Sequence, residues 1–260
     1  MFKGFDVKYP EYEVITPQTN LSYNVRSLNV QEEERLKGSL LTPIKISEHL
    51  NKCIFEAITK KPEIIKTYDD FLKNTTLKDR DALLYGLYHI TYEEIRNYDI
   101  TCSSCRKEYP VTVKASETFD MSPYPDNNIV SKTVPVHLPM TGAIAIIKQP
   151  TLFDEMINFT KWGTSAAVKL DILSETLIID RFQHTPQSGD TVVYSDRVDV
   201  VDAYKALPSK DKREIYKKYR EEFGQYGITL KMFSTCIHCG AQEEVDIDLV
   251  TNFFRMVHSL

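Results

Sequence analysis

The sequence has no apolar run long enough to cross a membrane. A transmembrane helix needs about 18 or more consecutive apolar residues, and no stretch of this chain approaches that length. The first residues, MFKGFDVKYPEYEV, have no apolar core followed by a small-residue cleavage site, so we expect no signal peptide. Both absences predict a reducing compartment, where paired cysteines bind metals or do redox chemistry more often than they form disulfides.

Catalytic motifs are also missing. The sequence has no Walker loop, no G-x-G-x-x-G, no H-E-x-x-H, no nucleophile elbow and no recognisable pair of carboxylates. Nine glycines in 260 residues are few for an enzyme that cradles phosphates. The histidines outside the cysteine motifs are scattered: His49, His89, His137, His184 and His258. The sequence therefore predicts a protein that is not an enzyme.

The chain has no excess of positive charge. Its formal net charge is −5, from 32 basic and 37 acidic side chains. A nucleic-acid binder normally carries a basic surface that displaces counterions from the phosphates. The most basic stretch, residues 208–220, contains acids as well, with Glu214 four positions before Lys218, and we interpret it as a solvated helix face. The charge favours a protein partner over a nucleic acid.

Periodicity divides the chain into four regions. Residues 1–45 show no lasting helical or strand period, which predicts an extended N-terminal arm that cannot bury a continuous apolar face. Residues 46–117 predict a helical region that includes the first cysteine pair. Residues 118–204 begin with a proline-rich connection and predict an inserted lobe. Residues 205–260 predict a helix, the second cysteine pair and a closing strand or helix. We expect an α+β fold that is mainly helical.

Apolar residues at helical spacing predict the individual helices. The first begins near Ser47 as N-cap, the second at Pro62, and the third after Thr76, which with Asp79 resembles a capping box. A short apolar run at residues 142–147 predicts a buried strand. Further helices are predicted at 151–162, at 166–182, at 196–206 and from Ser209 as cap, with a turn or hairpin at 184–195.

Four of the five cysteines form two C-x-x-C motifs, at Cys102 and Cys105 and at Cys236 and Cys239. Two thiolates three positions apart on a tight turn, here called a zinc knuckle, can occupy two corners of a tetrahedron, and a second knuckle completes an all-cysteine site. The motifs therefore predict that these four residues bind one structural zinc ion. The 130 residues between them (106–235) far exceed the roughly 15–20 of a compact zinc ribbon. The cost of closing a loop grows only logarithmically with its length, so this spacing is permitted.

The two motifs have similar surroundings, TCSSCRKEYPVTV and TCIHCGAQEEVDI. Nine and eleven positions after the first cysteine of each stand β-branched residues, which predicts a strand leaving each knuckle: Val111 and Val113, Val245 and Ile247. Upstream of each motif, a charged helix opens with Lys-Asp, at 78–79 and at 210–211. We interpret the halves as a diverged repeat of helix, zinc knuckle and strand, which share one zinc-ribbon-like site near a pseudo-twofold axis.

Other interpretations of the cysteines stay open. A catalytic zinc keeps one coordination position open and usually includes histidine or carboxylate ligands, whereas four thiolates close the shell. A redox motif needs only one C-x-x-C, and disulfides need an oxidising compartment. His238, within the second motif, is the obvious substitute for one cysteine ligand. The fifth cysteine, Cys53, lies on the apolar stripe of its helix and predicts a buried thiol rather than a nucleophile.

The order of elements provides one more indication of function. A leucine- and tyrosine-rich helix runs into the first cysteine pair in LKDRDALLYGLYHITYEEIRNYDITCSSC. The chain closes with CIHCGAQEEVDIDLVTNFFRM, a second pair, a strand and an aromatic FFR helix. This arrangement, over roughly residues 46–260, resembles the baseplate hub and hub-assembly proteins of T-even-type contractile-tailed bacteriophages.

The resemblance implies a non-enzymatic structural or assembly component of a tail baseplate hub. Its partners would be hub, tube or tape-measure components, in the virion or in the host cytoplasm during assembly, and homo-oligomerisation stays open. The four cysteines of the two motifs would be its metal ligands. The alternative is a zinc-ribbon accessory protein that binds nucleic acid, supported by the basic stretch 208–220 and by fifteen tyrosines.

Overall fold

The computed structural model describes residues 8–37, 43–92, 95–114, 119–126, 128–162, 170–185 and 189–246. Up to the first C-x-x-C motif and its following strand, the described part of the chain forms five strands and four helices. They are β1 (Glu11–Ile15), β2 (Ser22–Arg26), α1 (Val30–Lys37), α2 (Pro43–Ala57), β3 (Ile58–Lys60), α3 (Tyr68–Asn74), α4 (Leu77–Thr91), β4 (Ile95–Thr101) and β5 (Glu108–Lys114).

The second half of the chain repeats this alternation of hairpins and helices. Its elements are β6 (Phe119–Ser122), β7 (Thr133–His137), β8 (Ile144–Lys148), α5 (Leu152–Trp162), α6 (Leu170–Thr176), β9 (Ile179–His184), β10 (Val192–Tyr194), α7 (Arg197–Ala206), α8 (Ser209–Tyr219), a π-helical turn (Arg220–Gly224), β11 (Gly227–Thr235) and β12 (Gln242–Asp246). Of the helices described, none is both long and apolar enough to span a bilayer.

The strands form four antiparallel sheets. Their orders are β1-β2-β3, β10-β9-β8-β7, β12-β11-β6 and β4-β5. Twelve strands and eight α-helices among the described residues make a mixed fold in which helices pack on small antiparallel sheets. The expected combination of helices and strands is present, but the expectation of a mainly helical chain is not confirmed.

The first core lies between the β1–β2 hairpin and helices α2 and α4. The predicted apolar stripe of α2 faces this core, with Leu50, Ile54 and Ala57 buried. Helix α4 approaches the hairpin closely at Gly86, where an added Cβ would lie 2.3 Å from Cγ2 of Val14. Helix α5, from the second half of the chain, completes this core with Leu152.

The N-terminal region is not the extended arm that the sequence predicts. Within residues 8–37, β1 and β2 pair in register from Glu11 with Arg26 to Ile15 with Ser22. Tyr23 and Val25 of this hairpin are fully buried in the first core. The strands alternate apolar and polar residues over only five positions each, and such short alternation does not stand out in a sequence scan.

The second core lies under the sheet β10-β9-β8-β7. Strand β8 matches the predicted buried strand, and β9 takes the place of the second part of the helix predicted at 166–182. Helix α6 ends at Thr176, and the guanidinium of Arg197 donates to the carbonyls of Thr176 and Ile179, at 2.9 and 2.7 Å, which ties the helix end to the start of β9. Residues 166–169 of that predicted helix lie outside the described residues.

The predicted helix starts are confirmed in part. Thr76 and Asp79 form the predicted capping box of α4. The helix expected at Pro62 begins later, at Tyr68, because Thr67 and Asp70 form a capping box of their own. Ser209, the predicted N-cap, is instead the first residue of helix α8; the N-cap residue is Pro208, and no side chain caps the helix.

The two sheets β1-β2-β3 and β7-β8-β9 have the same strand order, and their hairpins have the same turn. In the first turn (residues 16–21), Thr16 N–H donates to Leu21 O and Asn20 N–H donates to Thr16 O. In the second turn (residues 138–143), Leu138 and Gly142 make the same two bonds, to Ala143 O and Leu138 O.

The backbone and the anchoring of the two turns also match. Asn20 and Gly142 both adopt a positive φ, 53° and 69°. Each turn is held by the aspartate of the Lys-Asp pair that opens the following charged helix. Asp79 accepts from Gln18 N–H, Thr19 N–H and the Thr19 hydroxyl, and Asp211 accepts from Met140 N–H, Thr141 N–H and the Thr141 hydroxyl.

These matches extend the predicted repeat to the N-terminal hairpins. The hairpin β7–β8 and strand β9 lie in the region predicted as an inserted lobe, residues 118–204. Their correspondence to β1–β3 favours a second copy of the first half over an insertion. Helix α5 of this region also packs into the first core, and its Glu155 pairs with Arg80 of α4 at 2.6 Å.

Candidate metal centre

Two β-hairpins carry the two cysteine motifs. The first knuckle joins β4 to β5, and the second joins β11 to β12. In the first, Cys102 N–H donates to Lys107 O at 3.0 Å and Arg106 N–H donates to Cys102 O at 2.8 Å. In the second, Cys236 and Gly240 donate to Ala241 O and Cys236 O, both at 2.9 Å. The two knuckles therefore have one backbone conformation.

A left-handed residue closes each knuckle. Gly240 adopts φ 75°, which glycine tolerates without strain, and Arg106 adopts φ 58° at the corresponding position. The residue type differs while the turn is the same, so the knuckle geometry is set by the hairpin and the cysteines rather than by a glycine.

The repeated unit around each knuckle differs from the predicted order of helix, knuckle and strand. A strand leaves each knuckle as predicted, and Val111 on β5 is buried. A strand also enters each knuckle, because β4 and β11 lie between the preceding helix and the first cysteine. Val113 and Val245 lie in β5 and β12, and Ile247 and the FFR segment lie outside the described residues.

The structure brings the four predicted ligands together. All four Sγ atoms lie within 4.8 Å of one another. Two separations that cross between the knuckles are 3.6 Å, from Cys102 to Cys239, and 3.7 Å, from Cys105 to Cys236. Exchanging the two knuckles converts one of these pairs into the other, as a pseudo-twofold axis through the cluster requires.

The sulfur separations fit a tetrahedral thiolate site. Zinc–sulfur bonds of about 2.3 Å place tetrahedral ligands about 3.8 Å apart. A disulfide would need a sulfur–sulfur distance of about 2.05 Å, and all five cysteines are free thiols in this structure. The donor set and its spacing therefore fit zinc.

In both knuckles the first cysteine is more deeply buried than the second. The first cysteine of each motif is buried, Cys102 at 0% and Cys236 at 1% exposure, while Cys105 is half-buried and Cys239 is exposed. The buried cysteines pack with Tyr109 and apolar neighbours in a small third core. This core gives the site a dry inner side and a solvent-facing outer side.

Backbone N–H groups point at the sulfur atoms. Burial opposes ionisation of Cys236, but N–H groups of His238 and Cys239 and the neighbouring thiols lower its pKa to about 7. The N–H groups of Cys105 and Ser104 favour the Cys102 thiolate, but burial and the adjacent thiols outweigh them and raise the pKa of Cys102 to about 12. A divalent cation would favour the thiolate form of all four residues.

Glu243 is a neighbour of the cluster that sequence reasoning missed. Its carboxylate lies on β12, accepts from the N–H and the hydroxyl of Ser103, both at 2.6 Å, and lies 3.3 Å from Sγ of Cys102. The Ser103 hydrogen bonds hold the pKa of this carboxyl below its usual range. No local pattern relates residues 140 positions apart, so the sequence gives no signal for this contact.

The other candidate residues lie away from the cluster. The His238 ring lies beside the carbonyl of Glu108, with Nε2 3.1 Å from that oxygen, rather than in the sulfur cluster. Cys53 is buried in the first core, as predicted, and burial raises the pKa of its thiol to about 12. Within the described parts of the chain, the four cysteines form the one group of cysteine, histidine or carboxylate side chains arranged to hold a metal.

Comparison with known proteins gives one match. The family model described as "T4 bacteriophage base plate protein" matches residues 9–255, nearly the whole chain. No curated protein and no solved structure matches significantly. The matched range includes both hairpin turns and all four cysteines.

Proposed function

This chain belongs to the T4 bacteriophage base plate protein family, and we propose that it is a non-enzymatic structural or assembly component of the baseplate hub. The family match over residues 9–255 is the observation that carries this proposal. The absence of catalytic motifs from the sequence agrees with it. Its partners are other tail proteins, among which hub, tube or tape-measure components are the candidates.

A structural zinc ion bound by Cys102, Cys105, Cys236 and Cys239 is the second part of the proposal. The four sulfur atoms have the spacing of a tetrahedral thiolate site, and four thiolates leave no open position for a substrate. Both knuckles contribute equally, so the metal would join the two copies of the repeated unit. Its role is to hold them in one orientation, on which a surface for neighbouring subunits can be built.

Purification from infected cells tests the role and the metal in one sample. The tagged chain is isolated, its co-purifying proteins are identified, and its metal content is measured. We expect identified tail proteins and one zinc per chain. A chain that associates with no tail protein contradicts the assembly role, and a metal-free chain with intact tail contacts contradicts only the zinc.

The nucleic-acid alternative has less support. The net charge is −5, and helix α8, which carries most of the basic stretch, also has acids among its residues. A titration with DNA and RNA at two salt concentrations tests it directly. Salt-dependent binding at micromolar protein would favour this alternative, since counterion release is the main source of such affinity.

A further inference from the structure

Each knuckle contacts the strand that leaves the other knuckle. In the first knuckle, Ser103 donates its N–H and its hydroxyl to Oε1 of Glu243 on β12, both at 2.6 Å. In the second knuckle, Nε2 of His238 lies 3.1 Å from the carbonyl oxygen of Glu108 on β5. A carbonyl oxygen only accepts, so the His238 ring is the donor in this contact. These two contacts, here called the reciprocal clasp, connect the two hairpins without using a sulfur atom.

The two halves of the reciprocal clasp occupy similar places but differ in chemistry. Ser103 follows the first cysteine of its motif, and its counterpart in the second motif is Ile237. Glu243 stands seven positions after the first cysteine of the second motif, and its counterpart is Tyr109. Isoleucine has no side-chain donor and tyrosine has no carboxylate, so the Ser103–Glu243 bonds cannot be repeated by these counterparts. A knuckle therefore does not require a carboxylate at this position, and Glu243 calls for an explanation of its own.

The Ser103–Glu243 contact is the stronger half of the clasp. Both of its bonds end on a carboxylate oxygen, and such charge-assisted hydrogen bonds are roughly twice as strong as neutral ones. The Ser103 N–H belongs to the peptide group that joins this residue to Cys102, and that group is planar. Fixing the N–H therefore also restricts the backbone of Cys102 and the direction in which its sulfur points.

The charge of Glu243, unlike its hydrogen bonds, opposes metal binding. Oε1 lies 3.3 Å from Sγ of Cys102. Four thiolates outnumber the two positive charges of a zinc ion, so the bound site would be net negative, and a carboxylate beside it would be repelled. The two effects of Glu243 can be separated, because glutamine accepts the same bonds on its Oε1 atom and carries no charge.

We propose that Glu243 is a positioning residue of the metal centre, which holds the first knuckle against β12 so that Cys102 and Cys105 face the second knuckle before a metal binds. This inference rests on the zinc part of the proposed function, because it takes the four cysteines to be the ligands. The two motifs are separated by 130 residues (106–235), so bringing them together costs chain entropy. Contacts that form without the metal supply part of that free energy in advance, which raises the affinity for the ion.

Zinc affinity of the full-length chain, measured by competition with a chromophoric chelator while the thiols are kept reduced, tests this role. Glu243→Ala should weaken zinc binding roughly ten- to hundred-fold, the usual effect of losing a partner that orients metal ligands. Glu243→Gln should bind zinc at least as tightly as the wild type, because it keeps the bonds and removes the charge. Glu244→Ala is the matched control. Glu244 is exposed, pairs with Lys231 and lies on the other face of β12, so the affinity should change by no more than about two-fold.

A variant of Ser103 tests the same contact from the other knuckle. Ser103→Ala removes the hydroxyl bond and keeps the N–H bond, so it should weaken zinc binding by about three- to ten-fold. In a chain that already has Glu243→Ala, the same change should have no further effect, because the acceptor is gone. Additive effects of the two substitutions would show that they do not act through one contact.

The absorption spectrum of the Co²⁺-loaded chain distinguishes a positioning residue from a ligand. Glu243→Ala should leave the spectrum of the bound cobalt unchanged and lower only the affinity, because the same four sulfur atoms bind the ion. A changed spectrum would make Glu243 a ligand and overturn the positioning role. Equal loss of zinc affinity in Glu243→Gln and Glu243→Ala would also overturn it, since the hydrogen bonds would then have no part in binding.

Hydrogen exchange in the metal-free chain separates this inference from the zinc site itself. The Ser103 amide should be protected in the wild type and in Glu243→Gln, and it should exchange at least roughly ten-fold faster in Glu243→Ala. The amides of β8, in the second core, should be unaffected, and faster exchange there would mean a general loss of stability instead of a positioning role. A wild-type chain that protects Ser103 but binds no zinc would contradict the zinc part of the proposed function. A wild-type chain that binds zinc no more tightly than Glu243→Ala would contradict the positioning role alone.

Discussion

The two hairpin turns of this protein have the same hydrogen bonds but opposite exposure. In the first turn Gln18 is fully buried, whereas its counterpart in the second turn, Met140, is 59% exposed. The first turn is covered by the chain that follows β6. Tyr124 N–H donates to Pro17 O, and the Asn20 amide donates to Tyr124 O. The second turn faces solvent.

The hydrogen bonds to an aspartate determine the shape of each turn, whereas burial determines how much the turn contributes to stability. Asp79 and Asp211 hold the two turns in the same way, so the local shape does not depend on burial. The energetic cost of losing the aspartate hydrogen bonds does depend on burial, because water can bond to an exposed N–H group but cannot reach a buried one. The first copy should therefore tolerate less change than the second.

The metal centre is the place where the two copies should behave alike. Cys102→Ser and Cys236→Ser each remove one buried sulfur from the same shared site. We expect both to lower the free energy of unfolding by more than about 4 kcal/mol, since structural zinc contributes on the order of 10–16 kcal/mol in zinc-finger peptides. Denaturant unfolding with metal analysis measures this. A stable, soluble, zinc-free Cys236→Ser protein would show that the site does not hold the fold.

The turn aspartates should differ in their effect. Asp79→Ala leaves the N–H groups of Gln18 and Thr19 buried without an acceptor, and we expect it to cost about 3–5 kcal/mol. Asp211 is buried too, but the turn residues that it holds, Met140 and Thr141, are exposed, so water can replace the lost acceptor and we expect Asp211→Ala to cost about 1–2 kcal/mol. The measurement is denaturant unfolding of both variants. Equal losses would mean that burial of the first turn has no energetic role.

Helix α4 packs against its hairpin more closely than α8 does. Gly86 lies seven residues after Asp79, and Lys218 lies seven residues after Asp211. Gly86→Ala should cost about 1–3 kcal/mol, because its Cβ would overlap Val14 and the hairpin must move. Lys218→Ala is the control and should change stability by no more than about 0.5 kcal/mol. Thermal unfolding distinguishes the two, and a neutral Gly86→Ala would indicate that α4 can shift freely.

The smallest expected effect concerns the left-handed position of the second turn. No atom lies within 4 Å of a Cβ built at Gly142, so a substitution there tests backbone conformation alone. Gly142→Ala should cost about 1 kcal/mol, and Gly142→Asn, which introduces the residue of the first turn, only a few tenths. If the two variants have equal stability, the turn has changed its backbone conformation.

Local sequence patterns predicted the parts of this fold that are formed by residues close together in the sequence. The Thr76–Asp79 capping box spans three positions, and each C-x-x-C motif spans three as well, so their geometry could be read directly. The turns also carry a visible pattern, Pro-x-Thr, at 17–19 and 139–141. Recognising that pattern would have extended the predicted repeat to the hairpins.

Contacts between distant residues were not predictable in this way. The bond from Thr19 to Asp79 joins residues 60 positions apart, and the bond from Ser103 to Glu243 joins residues 140 positions apart. Strands β1 and β2 were missed because five alternating residues are too short to distinguish from chance. Their burial depends on α4, which the chain reaches only fifty residues later.

The crosswise arrangement of the sulfur atoms also determines how the chain would carry a mechanical load. With a metal bound, residues 102–105 are tied directly to residues 236–239, which closes the intervening residues into a loop. A pull applied between the first hairpin and the strand after the second knuckle would pass through the metal–sulfur bonds. The residues between the two knuckles, which include the exposed second turn, would lie outside that line of tension.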